Sequence, residues 1–333
     1  MKFGPVATVN AEGAVLAHSV TAGGKRLRKG LVLGADHVAC LLADGITMVT
    51  VARLEPGDIG ENTAAGQLAA ALVPDAKAAG LRITTAFTGR VNLIADRPGV
   101  ACLDVPALER FNRVHPMITI ATVPPFQQMQ TGGMVATIKI ISYAVPGGHV
   151  TQAAAIAPAA LRVAGPALHS AGLVITDIPG GPSNDKGIRA ISGRLATLGM
   201  DLSETRTVPH RADALAAALS QVAGDMVLIL TGSATSDPSD VGPSALRLAG
   251  GAVDRFGMPV DPGNLLFLGQ LGGRPVIGLP GCARSPALNG ADWVLSRVAC
   301  AIPVTSDDIA GMGVGGLLKE IPTRPQPRAP RQA

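Results

Sequence analysis

The chain has 333 residues, more than one hydrophobic core usually holds, so two or more domains are expected. Hydrophobic residues make up 47% and charged ones 16%, which excludes disorder over most of the length; aromatic residues at 2% exclude a base-stacking platform for single-stranded nucleic acid. The formal net charge of +4 is too small to point to a nucleic-acid partner, since Arg324, Arg328 and Arg331 sit together near the end.

Turn signals and short β-like runs alternate from Val6 to Arg53: residues 14–18, Gly23-Gly24, then 31–33. Asp36 is the expected N-cap of a helix carrying Val38, Leu41 and Leu42 on one face, ended by Gly45 before a strand at 47–51. After Glu55-Pro-Gly-Asp58 an alanine-rich helix is expected over 62–81. Residues 82–145 then read as β-rich, with strands at 84–88, 91–95, 117–122 and 134–142 between Gly89, Pro98-Gly99, Pro124-Pro125 and Gly132-Gly133.

A regular alternation follows Pro158. It comprises a strand at 173–176, a helix at 185–198 ended by Gly199, a strand at 202–208, a helix at 212–222, and the continuous apolar strand 226–230. Strand and helix in strict turn predict an α/β fold with a doubly wound, mostly parallel sheet covered on both faces, in three layers. The expected domains are an α+β unit at 1–81, a β-rich unit at 82–157, an α/β domain at 158–310 and a tail or linker at 311–333. The segment 323–333 is rich in Pro, Arg and Gln.

Cys40, Cys102, Cys282 and Cys300 are widely spaced and form no C-x-x-C pair, so neither a zinc ribbon nor a disulfide framework is expected. Met1-Lys2 opens without an apolar secretory core, and the uncharged stretch 140–161 is broken by Pro146, Gly147, Gly148 and Pro158. A soluble, cytoplasmic protein without a membrane partner is therefore expected. The six histidines, His115 and His210 among them, form no i, i+4 ligand pair. Gly311-Met-Gly-Val-Gly-Gly316 fits G-x-G-x-x-G by chance, because Pro322 cuts short any following helix.

In a parallel sheet, ligands sit beyond the carboxyl ends of the strands, which singles out three loops. The first, Ile178-Pro-Gly-Gly-Pro-Ser-Asn-Asp185, contains Gly180 and places Ser183 and Asn184 at a helix start. Those two residues serve either as anion donors or simply as caps. The second, Thr231-Gly232-Ser233-Ala234-Thr235-Ser236-Asp237-Pro-Ser-Asp240, offers four hydroxyls, a glycine and two carboxylates three positions apart. Such a set can surround phosphate oxygens and hold Mg²⁺ through Asp237 and Asp240, the expected catalytic and metal residues, although Asp240 is also placed to cap the next helix. The third, Gly278-Leu-Pro280-Gly281-Cys282-Ala-Arg284-Ser285, precedes a helix expected to run to Ala301. Cys282 near a helix start acquires a depressed pKa or stays inert, and Arg284 can pair with phosphate.

At these loops the sequence resembles the molybdopterin-binding domain shared by molybdopterin adenylyltransferase, molybdopterin molybdenumtransferase (MoeA) and gephyrin. The family's strand followed by T-G-G-x-S-x-G-x-x-D resembles Leu230 to Asp240. Its proline-glycine segment is similar to Met258-Pro-Val-Asp-Pro262-Gly263, its G-L-P-G-N-P turn to Gly278 to Ala283, and its S-N pair to Ser183-Asn184. Glu12-Gly-Ala-Val-Leu-Ala-His-Ser19 resembles the opening of MoeA. The whole chain is similar to the MoeA-like half of long bacterial proteins that carry a nucleotidyltransferase domain for the molybdenum cofactor, whose L-A-A-G-x-S-x-R-M signature does not occur here.

Ser233 replaces a family glycine, Asn264 stands where MoeA proteins often have lysine, and Cys282-Ala283 replaces Asn-Pro. The missing lysine weakens an expectation of molybdate insertion more than one of pterin binding. The resemblance implies a protein that binds molybdopterin, the molybdenum cofactor or a nucleotide precursor, with Mg²⁺, in cofactor biosynthesis or maturation, first of all as an enzyme or enzyme subunit of the transferase or nucleotide-processing kind, and as at least a dimer. A non-catalytic carrier serving a separate nucleotidyltransferase or molybdoenzyme is a second expectation. A relative of the competence-type hydrolases of pyridine nucleotides is the third.

Overall fold

The computed structural model of the protein describes Met1–Leu318, so the expected tail at 323–333 lies outside the described residues. The chain separates into two compact units, residues 1–97 with 101–164, and 98–100 with the chain from Gly165 onward.

The first unit holds two cores. In the smaller, strand Met48–Arg53 lies between Lys2–Ala7 and Val15–Leu16, both antiparallel to it. Helix Ala35–Ala43 buries Val38 and Leu41 beside Leu16, Val49 and Val51. Gly34, rather than Asp36, is its N-cap, and the Gly34 N–H donates to His37 Nδ1 (3.0 Å).

In the larger core, helix Glu61–Leu72 buries Ala64, Ala65, Leu68, Ala69 and Leu72 together with Val91, Leu93, Val135 and Ile138 of strands Arg90–Ala95 and Met134–Ile140. The helix is shorter than the expected 62–81. Pro74 has no N–H to continue the ladder and pushes the residue before it out of the helical region, and Val73 has φ −139°. Leu81–Ile83 instead pairs antiparallel with Arg90–Ala95, replacing the strand expected at 84–88. Two helices not anticipated from the sequence also lie here. Val105–Asn112 is capped by Asp104, whose side chain accepts the Ala107 N–H (3.0 Å), and Gly147–Ile156 buries Val150 and Ala153.

The second unit is built on one six-stranded sheet in the order Asp201–Pro209, Ser170–Asp177, Met226–Leu230, Arg274–Leu279, Phe267–Leu271, Ala252–Phe256. The first four strands are mutually parallel; Phe267–Leu271 runs antiparallel to both of its neighbours. Every residue of Met226–Leu230 is buried, as a strand covered on both faces requires. Leu228 and Leu230 face helices Asn184–Thr197 and Gly290–Ala299, packing with Ile191, Leu195, Val294 and Leu295. Val227 and Ile229 face the other way, against Leu215 and Leu219 of helix Ala212–Gln221 and Leu246 of helix Val241–Leu248. The expected α/β sheet with helices on both faces is thus present in this unit.

The helix expected to follow the third loop begins only at Gly290. A 3-10 turn, Gly281–Arg284, comes first, and Asn289 then caps the helix in a reciprocal box with Asp292. Residues 311–318 belong to this unit's packing: Met312 and Leu318 lie against its core, and the Leu318 N–H donates to Asp261 O (2.8 Å). Gly311–Gly313 forms a 3-10 turn, and no helix follows it among the described residues.

Candidate functional site at the strand ends

Strands Ser170–Asp177, Met226–Leu230 and Arg274–Leu279 are adjacent and parallel, so the loops after Asp177, Leu230 and Leu279 leave the sheet side by side at one edge. Chain order reverses there, because the strand following Ser170–Asp177 pairs on one side of it and the next on the other. A reversal of this kind, here between the first two loops, marks the usual ligand position in a doubly wound sheet.

One side chain joins all three loops. Arg284, 8% exposed, donates through Nη2 to Thr231 O (3.0 Å) and through Nη1 to Ser183 O (3.3 Å) and Asn184 Oδ1 (3.4 Å). Burial lowers the pKa of its guanidinium, and the charge of Asp177 opposes that shift. Arg284, expected to meet phosphate, is therefore committed to the protein's own acceptors. A planar fork of donors suits that bridging role.

The second loop is folded by its own short side chains. Thr231 Oγ1 donates to Ser233 O (2.7 Å) and lies 3.1 Å from Thr235 Oγ1, with both threonines buried. Asp240 accepts the N–H groups of Val241 (2.7 Å, Oδ1) and Ser236 (3.0 Å, Oδ2), so it caps helix Val241–Leu248 and closes the loop. Asp237 Oδ1 accepts the Ser239 N–H (2.7 Å); its other oxygen takes no hydrogen bond among the described residues. Ser233, Ala234, Ser236 and Asp237 are the members of this loop's predicted set that remain exposed.

A buried threonine that sequence reading missed fastens this loop to the first strand. The Gly232 N–H donates to Thr176 Oγ1 (2.8 Å), which lies 2.8 Å from His210 Nδ1. A Cβ on Gly232 would stand 2.7 Å from Thr176 O, so only glycine admits this approach. Asp177 Oδ1 accepts from Asn184 Nδ2 (3.2 Å), which places Asn184 between the first strand and Arg284. Ser183 caps helix Asn184–Thr197 through a long contact from the Lys186 N–H (3.5 Å), and Gly180 is exposed in the loop before it.

The third loop is shaped by Arg194, also missed. It donates to Asp292 Oδ1 (2.6 Å), to Ala283 O (2.9 Å), and to Ser285 O (2.8 Å) and Ala287 O (3.0 Å). The signal was present: Arg194 falls on the buried stripe of its helix with Ala190, Ile191 and Leu195, an unpaired position for a charge on an apolar face. Pro280 O accepts the Ala283 N–H (2.9 Å), while Gly281 stays exposed. Cys282 lies in the 3-10 turn and not at an α-helix start. Burial raises its pKa, with Asp261 and Asp292 acting in the same direction, which agrees with the inert one of the two readings of this thiol. Pro262 O accepts the Gly290 N–H (2.8 Å), which brings Pro262 and Gly263 beside the end of this loop, while exposed Asn264 donates weakly to Met258 O (3.4 Å).

Among the described residues no group of three or more His, Cys, Asp or Glu side chains converges on a metal position. Asp237 offers one free carboxylate oxygen. Mg²⁺ needs no more than one or two protein carboxylates when ligand oxygens and water complete its shell, a requirement that Asp237 meets.

Residues 173–297, which hold all three loops, match the family described as "Probable molybdopterin binding domain". The C-terminal unit carries a domain of the molybdopterin-binding family. Residues 5–53, in the N-terminal unit, match a domain of unknown function (DUF8806). No curated protein matches the chain. Two solved structures are similar to it at 13% identity. One is a molybdopterin biosynthesis MoeA protein of Pyrococcus horikosii, with a TM-score of 0.28 over 94% of this chain and 76% of that one. The other is a molybdenum cofactor biosynthesis protein of Pyrococcus furiosus, with a TM-score of 0.23; the alignment covers 93% of this chain and 65% of that protein. The molybdopterin-binding assignment of the C-terminal unit rests on the family match and on the loops themselves. Among the described residues, no helix is long and apolar enough to cross a membrane.

Proposed function

We propose that the strand-end loops of the C-terminal unit bind a pterin phosphate, molybdopterin or a nucleotide form of it, and that the protein acts in biosynthesis or maturation of the molybdenum cofactor. The observation that carries this reading is the joining of three neighbouring loops by Arg284 within a domain of the molybdopterin-binding family. With Arg194 and Arg284 turned onto carbonyls, the groups left to hold the phosphate are neutral: the hydroxyls of Ser233 and Ser236 and the backbone N–H groups around Gly180 and Gly281. Asp237 would hold Mg²⁺, which would supply positive charge to the phosphate, while Asp240 keeps the loop in shape.

Titration calorimetry of the full chain with molybdopterin, with and without Mg²⁺, tests the reading. Saturable binding strengthened by Mg²⁺, and loss of that strengthening in Asp237→Asn, is the expected result; no binding under either condition overturns it. The commitment of both Asp240 carboxylate oxygens to backbone N–H groups favours a protein that holds and presents its ligand over one that transforms it. Bound ligand recovered unchanged after incubation with Mg²⁺ and nucleotide supports that carrier role, and its conversion to a nucleotide adduct or a metal-loaded form assigns an enzyme.

A further inference from the structure

In the N-terminal unit a crevice of about 140 Å³ opens between Lys29-Gly30, Glu61 at the start of its helix, the turn at Thr88, and the chain from Lys139 to Tyr143. All of its lining belongs to that one unit. Lys139 Nζ donates to Thr88 O and stands 3.9 Å from Glu61 Oε2. Lys29, exposed on the rim, has no ion-pair partner among the described residues. The Glu61 side chain is only 18% exposed and accepts no hydrogen bond among the described residues. Burial raises its pKa against the opposing pull of Lys139 and Lys29.

A strained turn builds one wall of the crevice. Phe87 and Arg90 exchange both backbone hydrogen bonds at 3.0 Å, and the two residues between them are left-handed, Thr88 at φ 47° and Gly89 at φ 68°. Asn and Gly are the residues that usually accept such a turn; a β-branched threonine there is an outlier that the surroundings must enforce. The conformation delivers the Thr88 carbonyl to Lys139. At the next position a Cβ on Gly89 would stand 2.6 Å from Glu61 Oε2, so glycine is what lets the carboxylate lie there. Strain held at a polar crevice is a signature of a working site.

We propose that this crevice binds a small oxyanion, free phosphate or the phosphate or carboxylate end of a metabolite, between Lys29 and Lys139. Two ammonium groups against one carboxylate leave a positive excess facing the space. The volume admits a single oxyanion group but falls well short of the roughly 300 Å³ at which drug-sized ligand pockets begin, so a nucleotide is excluded from lying wholly within it. The site shares no residue with the strand-end loops, and its failure would leave the pterin reading untouched.

The test is calorimetric or NMR titration of the full chain at low ionic strength with inorganic phosphate and, separately, with acetate. Saturable binding of either anion is expected, with the preferred one naming the ligand's end group. Lys29→Gln should weaken it about tenfold, as loss of one close charge at a partly shielded site implies. Lys139→Gln should do the same, and Glu61→Gln, which removes a like charge, should tighten binding several-fold. Because Lys139→Gln also frees the Thr88 turn, exposed Lys29→Gln carries the decision, with an unchanged melting temperature showing that the fold is intact. Absence of saturable binding, full affinity in Lys29→Gln, unchanged affinity in Glu61→Gln, or an equal loss in the remote control Lys77→Gln overturns the proposal.

Discussion

In the C-terminal unit the decisive cations are arginines, buried at 8% exposure and bonded to carbonyls of loops they hold together, whereas the N-terminal unit sets two lysines beside an open crevice. The chemistry of the two side chains accounts for the contrast. A planar guanidinium can bridge several carbonyls at fixed angles while remaining charged, so it serves as a scaffold in a buried place. A compact ammonium on a flexible stem keeps its hydration and offers charge to whatever arrives. The contrast implies that a pterin phosphate at the strand ends is held by neutral donors and shape, and that binding there depends less on salt than binding at the lysine crevice.

The strongest way to break this contrast is to remove the scaffold arginine. Arg194→Met leaves Asp292 and three loop carbonyls without their donor, and loss of one partner of a buried pair costs about 3–5 kcal/mol. Chemical denaturation should show that loss, and a change below about 1 kcal/mol would mean that the loop holds itself.

Arg284→Lys keeps the charge but not the fork. A loss of about 1.5–3 kcal/mol is expected from the forfeited charged hydrogen bonds, with weaker ligand binding through misplaced loops. Retained stability and affinity in this variant would show that charge, not shape, is what the site requires of residue 284.

Thr176→Val removes the acceptor for the Gly232 N–H at nearly constant volume and should cost about 1–3 kcal/mol in the same assay. The valine variant separates the clamp on the second loop from the arginine framework, since it touches no guanidinium.

The smallest expected effect is a pH dependence in the N-terminal unit. The rings of His115 and His149 meet tilted by 34°, with centroids 4.8 Å apart, His149 Nδ1 is buried without a hydrogen-bond partner among the described residues, and burial, then the charge of His149, lowers the pKa of His115. A folded pKa below the unfolded one means that the unfolded chain binds the proton more readily. The stabilising contribution is therefore complete above the ordinary histidine pKa of about 6.5 and is lost as the pH falls below it. Melting temperature should decline slightly more from pH 7 to 5 in the native protein than in His115→Gln, and parallel curves would remove the histidine pair from the account.

Much of the C-terminal sheet could be read from the sequence because its signals are local. The run Met226–Leu230 is apolar throughout and bounded by Asp225 and Gly232, and helix Asn184–Thr197 begins at its Ser183 cap and stops before Gly199. The loops follow from the strands, so their positions came with them. Arg194 and Thr176 did not, because their partners lie far away in the chain: Asp292 is 98 residues from Arg194 and Gly232 is 56 from Thr176.

In the N-terminal unit the helix at Ala35–Ala43 and the strands Met48–Arg53, Arg90–Ala95, Ile118–Thr122 and Met134–Ile140 were legible, while two helices were not, for different reasons. Helix Val105–Asn112 had a visible start in Asp104 and Pro106, a signal overlooked amid neighbouring strands. Helix Gly147–Ile156 opens on two glycines, poor helix formers, and is held by packing of Val150 and Ala153, which no local preference announces.

Hydrogen exchange of the full chain with and without saturating molybdopterin and Mg²⁺ tests most directly whether the three strand-end loops form one ligand site. The account predicts slowed exchange together at 178–183, 231–240 and 280–289, with the N-terminal unit unchanged. Binding that protects only one of these loops, or protects residues of the N-terminal unit in their place, would contradict it.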